Sequence, residues 1–393
     1  MIKNKLISPH GSGKLAPLLA PPSELTKLRN ISTNLVWVPL TSRERSDLLL
    51  LAMGALNPLD GFLNEEDWHR SCSEMRLSNG ILWPIPITKS IPKELAKTVN
   101  VGDEVVLFDP FENNRAMAIL QITDIYKPDL NFECQQIYGT LDRAHPGANA
   151  TLKQEPINIA GKVVVFDEGS MAETYSSLYL RPKDTRVLFN RLGWKSIAAF
   201  QTRNPMHRSH EHLVKLALEL TDGVFIHQVL GRLKDGDYPP EVRTVAIDTL
   251  VKNYFPSHTV IQGGYPIHMR YAGPREALLH AIIRQNFGCS HLIVGRDHAG
   301  IGGFYGLFDS QNIFDTLWVG ALKIIPLKFD VVFYCKACES MASAKSCPHP
   351  EEQHLRISGT RFREMINNNE EIPPEFSRPE IVSVIKKYYE NKT

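Results

Sequence analysis

The sequence predicts an α/β protein: a parallel sheet in the middle, a β-rich block before it, and a small α/β region carrying a metal cluster after it. Three observations point there. Between about residues 176 and 330, apolar runs alternate with amphipathic stretches, as a parallel sheet covered by helices requires. Before that, the apolar runs are short and separated by turn residues. Beyond residue 330, a CxxC pair is followed by a third cysteine. The expected division is 1–175, 176–330 and 331–393.

The 393 residues suffice for two or three cores. With 44 basic and 43 acidic side chains the net charge is +1, which argues against a protein built to hold nucleic acid. A local cationic pocket remains compatible with that balance. No run approaches the ~20 apolar residues of a membrane span, so a soluble, cytoplasmic protein without a membrane partner is expected. GSGK at 11–14 imitates a phosphate-binding loop, but Ser8 stands at the first glycine's place and Leu15 at that of the Mg²⁺-binding Ser or Thr.

In the first block, residues 105–108 and 117–122 read as strands joined by a turn at Glu112, Asn113 and Asn114. LYLRPKDTR at 178–186 reads as the connection onward. Strands are then expected at 196–200, 224–229, 259–262 and 291–295.

The first of these leads into SIAAFQTRNPMHRSHEH, residues 196–212. A strand, a polar turn and a helix start place backbone N–H groups and the positive end of a helix dipole where an anion can dock. Pro205 suits a first helical turn, and Leu213, Leu216, Ala217 and Leu220 have the spacing of a buried helix face. His207 and His210 then share one face near the helix start. Such an HxxH pair fits a nucleotide site, half a metal site or plain surface. Arg203 favours the first, since a guanidinium opposes a metal cation and suits phosphate or sulfate. Gln201, Arg203, His207 and His210 are expected to converge on the anion.

A second segment, HLIVGRDHAGIGG at 291–303, reads as a buried strand ending at Gly295. Arg296, Asp297 and His298 follow at its carboxyl end, where open α/β sheets bind ligands. Gly300, Gly302 and Gly303 are expected to let backbone approach a ligand.

QTRNPMHRSHE and GRDHAG resemble the signatures of the ATP sulfurylase (sulfate adenylyltransferase) family, nucleotidyltransferases with an HxGH-type motif. Ser209 stands where many other nucleotidyltransferases have glycine. MGALNPLDGFL (53–63), residues 269–300 and SGTRFREMI (358–366) resemble the family too, so the likeness covers essentially the whole chain. It implies a Rossmann-like nucleotidyltransferase sheet preceded by a PUA-like barrel, a shape that does not by itself mean RNA binding.

It also implies transfer of AMP from ATP to sulfate, giving adenosine 5′-phosphosulfate and pyrophosphate. Thr202, Arg203, Asn204, His207 and His210 are the expected catalytic residues. Sulfate is expected on Gln201, Arg203 and a backbone N–H near Ala299. ATP is expected on Gln201, Thr202, Arg203, Asn204, Gly295, Arg296, Asp297 and His298, with Mg²⁺ arriving on the nucleotide and the protein forming a homo-oligomer.

Arg270 and Arg275 are not expected to be catalytic, and His227 and His268 read as structural. Lys234, Asp237 and Arg243 belong to a charged Gly/Pro-containing loop that suits a cover or an ordinary surface loop.

Cys335, Cys338 and Cys347 fit a structural Zn²⁺ site, for which the CxxC supplies two ligands from one turn. His349 and His354 are both candidates for the fourth. His354 is favoured, because a single residue separates His349 from Cys347. A redox dithiol or plain reduced cysteines are the alternatives. Cys72, Cys134 and Cys289 are scattered and suggest no disulfide framework. Two rival functions remain: another adenylyltransferase with a different acceptor, and an RNA-binding protein with a zinc ribbon.

Overall fold

The computed structural model describes residues 6–11, 13–230, 238–357, 359–368 and 370–390. Lys234 and Asp237 lie outside the described residues, as do Ser12 of the GSGK string and Ser358 of SGTRFREMI.

Six strands between residues 36 and 165 form a mixed sheet. The expected hairpin is present as Glu104–Asp109 antiparallel to Arg115–Tyr126. Asn113 and Asn114 turn it at φ 51° and 54°, the left-handed region that asparagine tolerates. Gly161 sits at φ 144°, and a Cβ there would lie 1.9 Å from the Gln121 carbonyl oxygen, so only glycine lets these strands cross so closely. The helix Ser42–Ala52, opened by a reciprocal Thr41–Glu44 capping box, shares its apolar core with this sheet.

The central sheet runs Ile325–Lys328, His291–Val294, Ile197–Thr202, Gly223–Val229, Val260–Tyr265, every neighbouring pair parallel. The four expected strands are all there. The fifth, Ile325–Lys328, was not expected because Pro326 interrupts its pattern; at a sheet edge the missing N–H is tolerated. The connection at 178–186 is shorter than expected, since Pro182 opens the helix Pro182–Arg191.

One apolar core joins the first block to one face of this sheet, with Leu48, Trp83 and Val105 in the same cluster as Ile197 and Leu292. The helix Gly273–Phe287 lies in that junction, buried along nearly its whole length. From it Arg275 donates to the carbonyls of Ser71, Cys72 and Pro84 at 2.8 to 3.1 Å. Just before it, Arg270 bonds Asp47 at 2.6 Å. Both arginines therefore tie the first block to the sheet. The opposite face packs Val224 and Ile226 against Val242 and Ile247 and against Phe362, Ile381 and Ile385 of the last two helices. A three-stranded sheet of Ser340–Ser343, Val332–Cys335 and His354–Leu355 precedes those helices. Among the described residues, no helix is long and apolar enough to cross a membrane.

Candidate active site

Ile197–Thr202 is the middle strand of the parallel sheet, and its carboxyl end carries the first motif. The Thr202 hydroxyl accepts from the Asn204 N–H at 3.1 Å and donates to the Asn204 carbonyl at 2.8 Å, closing a tight turn. That turn delays the helix, which spans Arg208–Leu218 with His207 at its N-cap. Pro205 therefore precedes the helix instead of opening it. The buried face also differs from expectation: Val214 and Ala217 are buried, whereas Leu216 and Leu220 are 37% and 62% exposed. Glu211 shares the buried face because Arg378 and Lys215 neutralise it at 2.9 and 2.7 Å.

His207 and His210 do meet, their ring centroids 3.9 Å apart, with Phe376 stacked on His207 at 4.7 Å. Burial lowers both imidazoles; His210 falls to about 4, and its presence pushes His207 down further. The pair is neutral near pH 7. One amide expected to face the anion is already occupied, since the Arg208 N–H donates to the Phe376 carbonyl at 2.9 Å.

The second motif follows His291–Val294. His298 Nε2 lies 3.1 Å from His280 Nδ1, and His280 Nε2 lies 3.5 Å from a Glu276 oxygen. The Glu276 carboxylate also accepts the Arg270 and Ala272 N–H groups at 2.9 and 3.0 Å. Burial raises its pKa, but these donors and His280 bring the net shift below the ordinary value. An ionised Glu276 3.5 Å away favours the proton on His280 Nε2, so His280 Nδ1 accepts from His298 Nε2–H. Burial, then His280 and Arg284, lower His298 to about 3.

These depressions have a pH consequence. An unfolded histidine titrates near 6.5, above His210 at about 4 and His298 at about 3. Their stabilising contribution is complete above pH 6.5 and is lost as pH falls toward those folded values. Each such group steepens the loss by about 1.4 kcal/mol per pH unit. The melting temperature is expected to fall between pH 7 and pH 5; an unchanged value across that window would contradict the neutral pair.

Gly300 lies against the Asp297 side chain. A Cβ there would lie 1.9 Å from the Asp297 carboxylate, so Asp297 itself fills that space. Gly300→Ala is expected to push the Asp297 carboxylate out of the 297–300 turn and cut turnover by about 10-fold. Turnover within twofold of the parent would show that the turn does not position the reaction.

A cavity of ≈ 720 Å³ opens between the two motifs. Gln201, His207, His210, Gly295, Arg296 and His298 line it, as does Ser209 in the glycine position. Thr202, Arg203, Asn204, Asp297 and Ala299 do not form its wall. Arg203 donates instead to the Tyr271 hydroxyl at 2.9 Å, and the Ala299 carbonyl accepts the Gly273 N–H at 3.1 Å. Arg203 and Ala299 thus meet at the 271–273 turn, beside the cavity.

Gln201 connects the two places. Its Oε1 accepts from Tyr265 Oη at 2.5 Å and Arg284 Nη2 at 2.6 Å, which fixes the amide so that Nε2 is its donor face. Arg243 bonds the Arg203 carbonyl at 2.9 Å and so belongs to the support of the motif, not to a surface loop. His227 packs among Phe225, Tyr265 and Phe287, in keeping with a structural role.

Several contributors escaped sequence reasoning. Glu276, His280 and Arg284 recur every fourth residue through the apolar middle of a helix, and that polar stripe is the signal that marks them. Arg284 is fully buried, and its hydrogen-bond acceptors, Gln201 Oε1 and the His280 carbonyl, are neutral. The far wall of the cavity comes from Asp330, Val332, Leu355, Arg356, Arg361 and Phe376, distant in sequence and without a local pattern.

The cysteine cluster assembles with a different fourth donor from the one expected. Cys335, Cys338, Cys347 and His349 place their ligand atoms within 4.8 Å of one another. His349 Nδ1 lies 3.2 Å from Cys338 Sγ, 3.5 Å from Cys335 Sγ and 3.6 Å from Cys347 Sγ. In non-helical backbone, residues two apart return to the same side, so Cys347 and His349 face one centre. His354 is held in the strand opposite Cys335, its ring stacked on Phe333 at 3.7 Å. Against the upward pull of burial, the Cys338 amide and the neighbouring thiols bring the Cys335 thiol down to about 7. Burial and the adjacent sulfurs push Cys338 up to about 11. Three thiols and an imidazole converging in this way form a donor set that could hold a metal ion such as zinc.

Comparison with known proteins agrees with this architecture. Residues 7–168 match the PUA-like domain and residues 176–388 match the ATP-sulfurylase model. The chain belongs to the ATP-sulfurylase family. A sulfate adenylyltransferase of Psychrobacter sp. (strain PRwf-1) is 49% identical over 99% of this chain and 93% of its own length. One from Chlorobaculum tepidum is 49% identical, covering 99% of this chain and 96% of itself. Among solved structures, a hexameric APS kinase from Thiobacillus denitrificans shares the fold at a TM-score of 0.75 and 24% identity. That match covers 97% of this chain and 68% of the other. The ATP-sulfurylase match runs through both the parallel sheet and the cysteine cluster, as the shared core of Val224 and Ile385 would suggest.

Proposed function

We propose that the protein is a sulfate adenylyltransferase, joining the AMP of ATP to inorganic sulfate and releasing pyrophosphate. The observation that carries this reading is the pairing of a nucleotide-sized cavity with a separate guanidinium, Arg203, beside it. An adenylyltransferase with sulfate as acceptor needs both, because its acceptor is a small dianion that the triphosphate repels.

Sulfate is held by Arg203, the Gln201 Nε2 donor and the backbone near Ala299, with the buried charge of Arg284 behind Gln201 favouring an anion there. ATP occupies the cavity. Gly295, Arg296 and His298 border its nucleoside, with Asp297 shaping the turn that carries them, and Thr202 and Asn204 set the backbone turn beneath its phosphates. His207 and His210 enter as neutral donors. The triphosphate supplies the negative charge that favours their protonation, so they gain cationic character as charge builds on the leaving pyrophosphate.

A sulfate oxygen forms a bond to the α-phosphorus while the bond from that phosphorus to the departing pyrophosphate oxygen breaks. No protein atom is covalently attached. Mg²⁺ accompanies the ATP phosphates and neutralises part of their charge.

Cys335, Cys338, Cys347 and His349 hold a structural Zn²⁺ in this reading. We also propose that residues 1–175, 176–330 and 331–393 divide the work between scaffold, catalysis and cavity wall. A cytoplasmic homo-oligomer is the expected setting. Incubation with ATP, Mg²⁺ and sulfate tests the function. The expected products are adenosine 5′-phosphosulfate and pyrophosphate in equal amounts; adenylylation only of another acceptor would overturn it.

A further inference from the structure

A second cavity, of ≈ 470 Å³, lies in the N-terminal part of the chain, away from both motifs. It is bordered by several charged side chains, and its buried acids are already satisfied. Glu44 accepts from Lys89 Nζ at 3.1 Å and the Ser90 N–H at 2.8 Å. Asp47 accepts from Arg270 Nη2 at 2.6 Å, and Glu133 from Trp68 Nε1 at 2.7 Å.

The unsatisfied groups are donors. Arg270 is 1% exposed, and its Nη1 has no hydrogen-bond partner among the described residues; the same holds for Gln154 Nε2. Both residues line this cavity. A buried guanidinium nitrogen without an acceptor is costly, and an acceptor of negative charge relieves it best. Leu40, Ile85, Pro86 and Phe111 supply apolar wall.

We propose that this cavity binds a small organic anion, a carboxylate or phosphate monoester on an apolar body, and that its occupancy alters sulfate binding. The route is short. Arg270 is followed by Tyr271, which is held at φ 58° and accepts the hydrogen bond from Arg203. Glu276 clamps the N–H groups on either side, those of Arg270 and Ala272, so the segment moves as one piece. An anion drawing on Arg270 therefore shifts the hydroxyl that orients Arg203. Binding stands independently of the reaction, whereas the coupling rests on the reading of Arg203 as the sulfate clamp.

Benzoate and phenyl phosphate serve as probes, distinguishing a carboxylate from a phosphate head. Calorimetry on the full chain is expected to show saturable binding of at least one of them. Arg203→Ala should retain that binding, which separates this cavity from the sulfate position. Arg270→Gln leaves Asp47 unpaired and risks the fold, so Gln154→Leu is the decisive variant. It should weaken the probe by about 5- to 10-fold, the worth of one hydrogen bond, with ATP and sulfate kinetics unchanged when no probe is present.

In the parent protein, the bound probe should shift the sulfate KM by about fivefold or more, and sulfate binding should in turn shift probe affinity in the same direction. An unweakened probe Kd in Gln154→Leu would show that the probe binds outside this cavity and overturn the proposal. Binding of neither probe, or binding without any change in sulfate KM, would overturn it as well.

Discussion

Arg203→Ala is expected to lower sulfate-dependent turnover by about 10²- to 10³-fold, the scale for losing a preorganised group that acts on developing charge. The fold should survive, because Arg203 is half-buried and, among the described residues, its side chain hydrogen-bonds the Tyr271 hydroxyl at 2.9 Å and forms no ion pair. Nucleotide affinity should change little, since Arg203 lies outside the wall of the larger cavity. Arg203→Lys should recover only a small part of the activity, because an ammonium cannot present the two parallel N–H groups that fit a tetrahedral oxyanion. Tyr271→Phe should act mainly on the sulfate KM, by a few-fold, through the orientation of Arg203. Steady-state kinetics with sulfate varied at saturating ATP would separate these outcomes. Turnover of Arg203→Ala within a few-fold of the parent would remove it from the sulfate site.

Cys335→Ser is expected to abolish metal retention and lower the melting temperature by about 10 °C or more, as a loss of about 3–5 kcal/mol would do in a domain of this size. Cys335 is fully buried at the end of the strand Val332–Cys335, paired with both Ser340–Ser343 and His354–Leu355. Among the described residues, that small sheet has a buried core of just Phe333, Cys335 and Ala342, with Cys338 and Cys347 packed on it. The effect should reach the chemistry too, because Val332 and Leu355 of the same sheet form part of the cavity wall. A raised KM for ATP is therefore expected together with the stability loss. The controls are His349→Ala and His354→Ala: the first should lose the metal, the second should keep it. Metal analysis of the three proteins, prepared without chelator, checks this. Retention of a full equivalent by His349→Ala would restore His354 as the ligand.

The parallel sheet was legible in the sequence because its strands are buried on both faces and read as continuous apolar runs. Ile325–Lys328 escaped because it is an edge strand containing a proline. The two motifs were legible because strand, turn and helix start follow one another within a few residues. What the sequence could not show is which side chains face the cavity. Arg203 and His207 are four residues apart, yet the Thr202–Asn204 turn sends Arg203 toward Tyr271 and His207 toward Phe376. The choice between His349 and His354 could not be read from the sequence for a similar reason. Spacing alone favoured the more distant residue, whereas strand pairing with Cys335 fixes His354 against Phe333. Arg356, Arg361 and Phe376 reach the cavity only because the last two helices fold back onto the sheet, a long-range event without a local signature.

Direct attack of sulfate on ATP is the central claim, and the neutral His207–His210 pair makes it open to a sharp test. A neutral imidazole in the cavity wall is also a nucleophile, and an adenylyl-histidine formed before sulfate arrives would be the alternative course. Exchange of labelled pyrophosphate into ATP, measured with Mg²⁺ in sulfate-free buffer and then with sulfate added, distinguishes the two. Direct transfer predicts no exchange until sulfate is present and saturable exchange once it is. Exchange at a comparable rate without sulfate would show that the AMP group passes through the protein, and would contradict the account.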